Sequence, residues 1–146
     1  MAASVVIKDK EKVPTLGLPE TTLGILPGAG GTQRLARILG AKTALYYIAT
    51  ARNINPQEAL ALGLVQELMP GAELNEKTIA FAEKMATKAI IGIGEAKKAI
   101  YQGSDRETSV AMRIEQDAFM KAFASADARE GLKAFVEKRP AVFSGK

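Results

Sequence analysis

The sequence predicts an α/β fold that is mostly helical. Beyond residue 40, apolar residues recur at the three- and four-residue spacing of amphipathic helices, with short turns between the patterns. Before residue 40, an apolar stretch broken by proline and glycine leads into a glycine-rich turn that opens a further helical pattern. The apolar run 64–69 has the length of a short strand or an extended link. Together these patterns indicate a chain of helices with a small extended share.

Composition narrows the chemistry that the chain can perform. Its 146 residues are 47% hydrophobic, with 13 glycines and 6 prolines, which suits one domain of ordinary size. The chain has no cysteine and no histidine. This excludes disulfides, thiol nucleophiles and thiolate metal sites, and it removes the commonest general base and the commonest zinc ligand. We therefore expect no metal site. Acid–base chemistry falls to carboxylates, lysine and tyrosine.

Charge and hydropathy bear on the partners of the protein. The net charge of +4 comes from 20 Lys and Arg against 16 Asp and Glu, scattered along the chain, and aromatic residues make up only 5%. A nucleic-acid surface clusters its basic residues and adds aromatics, so we do not expect one here. No apolar run reaches the roughly 18 residues of a membrane span, and the N-terminus lacks a secretory apolar region. We expect a cytoplasmic protein without a membrane partner.

The first three predicted helices have start or stop signals. Polar N-cap side chains accept backbone N–H groups, and glycine commonly ends a helix. In a capping box, the third helical residue also reaches back to the cap, as Glu58 is placed to do. The predicted signals are Thr32 and Gly40 around the first helix, and Asn55, Pro56 and Gly63 around the third. The second helix is predicted over 42–52.

Four further helices are predicted after residue 70. Each has apolar residues at helical spacing, which form a stripe that can face a core. Asp105 and Asp127 are the predicted starts of the last two, and Pro140 ends the final one. The predicted ranges of the other helices and of the Asp105 helix are 73–88, 92–101 and 105–125.

Glu20 is the residue with the clearest chemical meaning. It is a lone carboxylate in the apolar stretch 16–26, directly ahead of the glycine-rich turn 27–31, and we predict that it lies at a strand end or in a short turn. The first N–H groups of a helix have no partner within the helix, and they favour an anion or an oriented water. This order of residues therefore places a proton-transfer group beside free backbone donors.

Simpler interpretations apply to the same residues. Most paired glycines ahead of a helix are tight connections, and most single glutamates are solvated surface groups. Two nucleotide-binding motifs are excluded by spacing. A P-loop needs a Gly-Lys-Ser/Thr after its glycines, which is not present. A dinucleotide fingerprint needs a third glycine at a fixed offset and an acidic residue suitably placed downstream of a strand, and the sequence has neither.

Three segments resemble the crotonase (enoyl-CoA hydratase/isomerase) superfamily. Segment 18–40 contains Pro-Gly-Ala-Gly-Gly-Thr-Gln-Arg-Leu at 27–35, segment 59–65 reads Ala-Leu-Ala-Leu-Gly-Leu-Val, and segment 130–140 reads Glu-Gly-Leu-Lys-Ala-Phe-Val-Glu-Lys-Arg-Pro. The resemblance implies the carboxyl-terminal part of the crotonase ββα-spiral fold. On this view, 1–70 is the end of the core with the Pro-Glu and glycine-rich segment. The rest, 71–146, is a helical region for trimerisation.

The resemblance also implies residues that this sequence does not contain. In the family, the chain ahead of the Pro-Glu block is about as long as this whole sequence. It carries two backbone N–H groups for the thioester oxyanion and a second catalytic glutamate. Residues 4–7 look like the strand that leads into the Pro-Glu block. We therefore expect the sequence to resemble only the carboxyl half of a crotonase.

The function that the resemblance implies is addition of water to a 2-enoyl-CoA thioester. Glu20 matches the glutamate that gives a proton to the α-carbon, and the Gly28 N–H matches a group that helps hold the water. Phe135 and Lys138 match residues that contact the adenine and phosphate ends of coenzyme A. Coenzyme A is part of the substrate, so no separate cofactor is expected.

Several alternatives remain open from the sequence. An enoyl-CoA isomerase or another crotonase-type enzyme would use a carboxylate at or near Glu20 to move a proton between carbons. A non-catalytic remnant would keep the helices as an oligomerisation module. The family resemblance implies a homo-oligomer, a trimer or hexamer, and a separate chain supplying the other half is also considered.

Overall fold

A computed structural model describes residues 13–146 of the protein. The chain divides into two compact units, one that ends at Lys77 and one that runs from Thr78 to Lys146. The strand predicted over 4–7 lies outside the described residues.

Helices dominate both units, as predicted. The helices are the 3-10 helix Pro19–Leu23, α1 Gly31–Leu39, α2 Ala41–Thr50, α3 Pro56–Ala61, α4 Leu74–Ala86, α5 Ile90–Gly103, α6 Thr108–Phe123 and α7 Ala126–Val136. The five-residue 3-10 helix is the first helix in the described part of the first unit, and α4 contains residues of both units. In the second unit, α5 and α6 form the main helix pair.

A small apolar core holds the first unit together. Its buried members are Tyr47, Ile54, Ala59 and Val65, and a ring of half-buried leucines packs around them. The backbones of Leu16 and Ile54 pair as an antiparallel bridge, with N···O distances of 2.9 and 2.7 Å. This bridge ties the chain ahead of the 3-10 helix to the core. Within residues 13–146 it is the only β pairing, so the run 64–69 is not a strand. The Leu64 and Val65 N–H groups instead donate to the Ala59 carbonyl at the end of α3.

The start of α1 differs from the prediction. Gly30, and not Thr32, is the N-cap, and no side chain caps this helix. Ala29 and Gly30 both have left-handed backbone, with φ of 49° and 85°, so the chain turns into the helix before it reaches Thr32. Thr32 is consequently the second residue of the helix, where its hydroxyl is in the wrong place to cap.

The start of α3 confirms half of the predicted capping box. Asn55 is the N-cap, Pro56 is the first helical residue, and the Asn55 side chain accepts the Glu58 N–H at 2.8 Å. The Glu58 side chain does not reach back. It instead accepts the Tyr47 hydroxyl at 2.7 Å and the Arg52 guanidinium at 2.8 Å, because these strong donors lie against it in the fold.

The predicted starts of the last two helices each lie two residues from the observed N-cap. Helix α6 has Glu107 as its N-cap, without a side-chain cap, so Asp105 does not cap it. Helix α7 is capped by Ser125, whose hydroxyl accepts the Ala128 N–H at 3.0 Å. Asp127 lies in the first turn of α7 and is only 1% exposed, because its carboxylate is hydrogen-bonded to the end of the chain.

That carboxylate anchors the end of the chain. Asp127 accepts the N–H groups of Ser144 and Gly145 at 2.7 and 2.9 Å, and its own N–H donates to the Lys146 carbonyl at 3.1 Å. The buried charge is thereby satisfied by backbone donors. The extended tail after Pro140 is fastened to the first turn of α7.

A second carboxylate of α7, Glu130, holds the start of the same tail. It accepts two hydrogen bonds from the Arg139 guanidinium at 2.6 and 2.9 Å, and the Val142 N–H at 3.0 Å. These bonds, those from Arg139 first, lower the pKa of Glu130 to about 2. Glu130 therefore stays ionised, and keeps its hydrogen bonds to the tail, at neutral and mildly acidic pH.

Helix α7 ends in a Schellman motif. The Lys138 N–H donates to the Phe135 carbonyl at 3.2 Å, and the Arg139 N–H donates to the Ala134 carbonyl at 3.0 Å. Lys138 occupies the left-handed position of this motif with φ of 53°, where glycine is the usual residue. The helix thus ends at Val136 through its own backbone geometry, ahead of Pro140.

A close approach explains one glycine of the turn ahead of α1. A Cβ at Gly31 would lie 2.9 Å from the Cβ of the buried Pro27, which is shorter than a normal contact. A Cβ at Gly28 would meet no atom within 4 Å. The two glycines therefore differ in kind. Gly31 is required for packing, whereas the space at Gly28 is open.

We predict that Gly31→Ala destabilises the protein by about 1–3 kcal/mol, the usual cost of overpacking, because Pro27 and the turn must shift. Gly28→Ala is the matched control and should change the free energy of unfolding by less than about 0.5 kcal/mol. Urea denaturation followed by circular dichroism measures both. Equal stabilities for the two variants would show that the turn relaxes around the new methyl group.

Candidate functional site

Glu20 lies in the 3-10 helix, which agrees with the predicted short turn more than with a strand end. Pro19 is the first helical residue, where its fixed φ favours a helical start. Gly24 ends the helix in the left-handed conformation, and its N–H donates to the Thr21 carbonyl at 3.2 Å. Proline at the start and glycine at the end therefore limit the helix to five residues around Glu20.

The carboxylate of Glu20 has no partner in the described part of the chain. Its side chain is half-buried, and the Oε2 atom is fully buried without a hydrogen bond among residues 13–146. Buried polar atoms in proteins are normally hydrogen-bonded, so an unpartnered one calls for an explanation. A carboxylate that exchanges a proton with a bound molecule would have this free lone pair.

Large apolar residues follow Glu20 closely in the sequence. Leu23, Ile25 and Leu26 are each more than half exposed, although they are large hydrophobic residues. Exposed residues of this size in one short segment are typical of a surface that contacts an apolar ligand or another part of a protein.

The glycine-rich turn leaves a backbone donor available. The Gly28 carbonyl accepts the Gly31 N–H at 3.0 Å, but the Gly28 N–H donates to no acceptor among residues 13–146. Gly28 is exposed, and no atom would contact a Cβ built there, so the surface at this residue is open. The turn is braced from the side by Arg34, whose guanidinium donates to the Ala29 carbonyl.

Two contacts near the site were missed by the sequence analysis. The Thr21 hydroxyl donates to the Ile48 carbonyl of α2 at 2.8 Å. The Tyr47 hydroxyl bonds to Glu58, which raises the pKa of Tyr47. Both join residues that are distant in sequence. The only signal available for Thr21 was its position directly after Glu20.

Phe135 and Lys138 lie together at the end of α7, in the second unit. Phe135 is 83% exposed and is therefore not a core residue. Lys138 is also exposed, and the Schellman motif fixes its backbone relative to the helix. Glu20 and Gly28 belong to the first unit, so the four predicted site residues form one pair in each unit.

Two negative findings hold for the described residues. Within 13–146, no group of three acidic residues stands close enough to hold a metal ion. Over the same range, every helix is too short or too polar to cross a membrane.

Comparison with known proteins shows one family throughout. The profile of the Enoyl-CoA hydratase/isomerase family matches residues 1–146. A crotonyl-CoA hydratase of Syntrophomonas wolfei is 41% identical over 130 residues, which cover 89% of this chain and 50% of that protein. The enoyl-CoA isomerase/hydratase fer4 of Mycosarcoma maydis is 38% identical over 136 residues, 93% of this chain and 50% of that protein.

Solved structures give the same result. The crystal structure of an enoyl-CoA hydratase from Bacillus anthracis superposes with a TM-score of 0.83 at 43% identity, over 90% of this chain and 51% of that one. The chain spans about half the length of the curated relatives it matches. The chain belongs to the enoyl-CoA hydratase/isomerase, or crotonase, family, and its helical structure is the carboxyl-terminal part of that fold.

Proposed function

We propose that this chain is part of an enoyl-CoA hydratase, which adds water to the double bond of 2-enoyl-CoA thioesters. The observation that carries the proposal is the half-buried Glu20 carboxylate, whose Oε2 has no partner among residues 13–146. The backbone N–H of Gly28 lies in the same unit and also has no hydrogen-bond partner among these residues. Family membership supplies the reaction class, and these two groups supply candidate chemistry for it.

The proposed reaction assigns one proton transfer to Glu20. The oxygen of water bonds to the β-carbon of the substrate, and Glu20 delivers a proton to the α-carbon as the enolate collapses. The Gly28 N–H orients the water. A second carboxylate takes the proton of the water, and backbone N–H groups hold the enolate oxygen. We propose that another segment or a separate chain supplies those groups, and no cofactor other than the coenzyme A of the substrate is proposed.

We predict that Glu20→Gln lowers the hydration rate of crotonyl-CoA at least about 10²-fold, the scale of a lost general acid. The amide keeps the shape of the side chain but cannot give up a proton. Loss of absorbance of the conjugated thioester measures the rate, for the chain alone or combined with a chain that completes the family fold.

Glu83→Gln, an exposed change on α4, is the matched control and should leave the rate unchanged. Undiminished turnover by Glu20→Gln would contradict the proposed role. Conversion of a 3-enoyl-CoA to a 2-enoyl-CoA without hydration would identify an isomerase, the alternative that the name of the relative from Mycosarcoma maydis supports. Inactivity in every combination would favour a non-catalytic oligomerisation module.

We also propose that Phe135 and Lys138 contact the adenine and phosphate ends of coenzyme A. Two features support this. Phe135 offers an exposed aromatic face. Lys138 is cationic, and its backbone has the left-handed conformation, which usually costs a non-glycine residue roughly 1–2 kcal/mol. A residue held in a strained conformation is a candidate for function.

Phe135→Ala and Lys138→Ala should each raise the KM for crotonyl-CoA about tenfold and leave kcat nearly unchanged, because they touch a part of the substrate remote from the reacting carbons. Lys121→Ala, an exposed change in the last turn of α6, is the control for loss of positive charge. Steady-state kinetics separates the two constants. A fall in kcat at constant KM in both variants would rule out this assignment.

We further propose that the protein assembles as a trimer or hexamer through its helical region. Large apolar side chains on α6 and α7 are more than half exposed in the single chain, which is a common mark of an interface. These residues are Phe119, Met120, Phe123, Leu132, Phe135 and Val136.

Light scattering after size-exclusion chromatography should give a mass of three or six chains. Mixed assemblies of Glu20→Gln and Lys138→Ala chains should contain sites with the original KM and kcat, which neither variant has alone, if the two residues of one site come from neighbouring subunits. A monodisperse monomer would contradict the assembly proposal while leaving the Glu20 proposal to its own test.

The cytoplasm is the proposed location. A chain without cysteine suits a reducing compartment, which supports this choice. Some relatives carry a mitochondrial designation in their names, so imaging of the full-length protein in its own cells is the direct test.

A further inference from the structure

The helix that carries Glu20 is too short to hold its own position. It has only five residues, and 3-10 geometry gives weaker backbone hydrogen bonds than an α-helix. Isolated short helices are unstable in water and depend on packing against other elements. The placement of the Glu20 carboxylate therefore depends on whatever fastens the 3-10 helix to the rest of the first unit.

Thr21 supplies such a fastening. Its hydroxyl donates to the Ile48 carbonyl at 2.8 Å, across 27 residues of sequence. Ile48 belongs to the last turn of α2, where carbonyl groups have no intrahelical partner. Its carbonyl also accepts the N–H of Ala51, whose left-handed backbone ends α2. The Ile48 carbonyl thus accepts two hydrogen bonds, one from the end of α2 and one from Thr21, on a residue whose side chain is buried.

The neighbouring threonine provides a contrast. The Thr22 hydroxyl donates to the Pro19 carbonyl at 2.7 Å, within the same 3-10 helix. Among residues 13–146, Thr21 forms the only hydrogen bond from this short helix to another helix. Of two adjacent residues with the same side chain, one is therefore bonded locally and the other joins two elements.

We propose that Thr21 is a positioning residue for Glu20. By tying the 3-10 helix to the end of α2, its hydroxyl sets where the adjacent carboxylate stands relative to a bound substrate. The proposal rests on the function proposed above, since it gives Glu20 the proton transfer. A misplacement of about 1 Å in a reacting group is enough to cost about 10²-fold in rate, so loss of one fastening bond should be visible in kcat.

Three variants test the proposal by kinetics on crotonyl-CoA, with the active form of the protein. Thr21→Val keeps the shape of the side chain but removes the donor, and it should lower kcat about tenfold or more with KM changed less than about threefold. Thr21→Ser restores the donor and should recover kcat to within about threefold of the original protein. Thr22→Val, the matched control, should stay within that same range.

Hydrogen exchange gives a readout that does not depend on activity. The N–H groups of Gly24 and Ile25 bond to the Thr21 and Glu20 carbonyls at 3.2 and 3.3 Å, so their exchange reports opening of the 3-10 helix. Thr21→Val should speed exchange at both amides about tenfold, and Thr21→Ser should restore the slow rates.

The outcomes separate this proposal from the proposed function. Unchanged exchange in Thr21→Val, or a Thr21→Ser variant as impaired as Thr21→Val, would overturn the fastening role. Equal loss of kcat in Thr21→Val and Thr22→Val would also overturn it. Faster exchange in Thr21→Val, combined with no acyl-CoA turnover by the original protein even with a chain that completes the family fold, would establish the fastening and overturn the proposed function.

Discussion

The structure depends on how the backbone groups at helix ends find partners. Seven short α-helices and one 3-10 helix within residues 13–146 leave many N–H and C=O groups outside helical hydrogen bonding. Asn55 and Ser125 cap two helix starts, and a Schellman motif closes α7. Each of these partners also sets the direction in which the chain continues. The Schellman motif of α7, for example, fixes the backbone of Lys138 relative to the helix.

In the candidate site, one helix-end carbonyl has a partner from another element, whereas two other polar groups have no partner within residues 13–146. The Ile48 carbonyl at the end of α2 is taken by Thr21, which holds the 3-10 helix in place. The Gly28 N–H and the Glu20 Oε2 atom, by contrast, have no partner among the described residues. A carboxylate and a backbone donor without partners are groups that acid–base chemistry on a bound molecule can use. The packing of the first unit and its proposed chemistry are therefore two results of the same hydrogen-bond arrangement.

Carboxylates play a structural part in the second unit. Asp127 and Glu130, one turn apart on α7, bind the backbone of the tail, and Arg139 completes the second of these contacts. The family-like segment 130–140 thus includes residues with a clear structural task beside Phe135, which is 83% exposed. Within one motif, Glu130 and Arg139 shape the end of the helix, and Phe135 and Lys138 remain candidates for binding.

The sequence by itself determined the family, the predominance of helices and the Asn55 cap, because local spacing and short-range hydrogen bonds carry those features. It misplaced the starts of α1, α6 and α7 at Thr32, Asp105 and Asp127, because each is a polar residue that fits the local N-cap rule. The chain instead enters α1 through the left-handed Gly30 and enters α6 at Glu107, both without a side-chain cap, and Ser125 caps α7. Tertiary structure decided the partners of other polar side chains. It gave Asp127 to the tail, Glu58 to Tyr47 and Thr21 to Ile48. These bonds join residues distant in sequence, and no local pattern encodes such pairings.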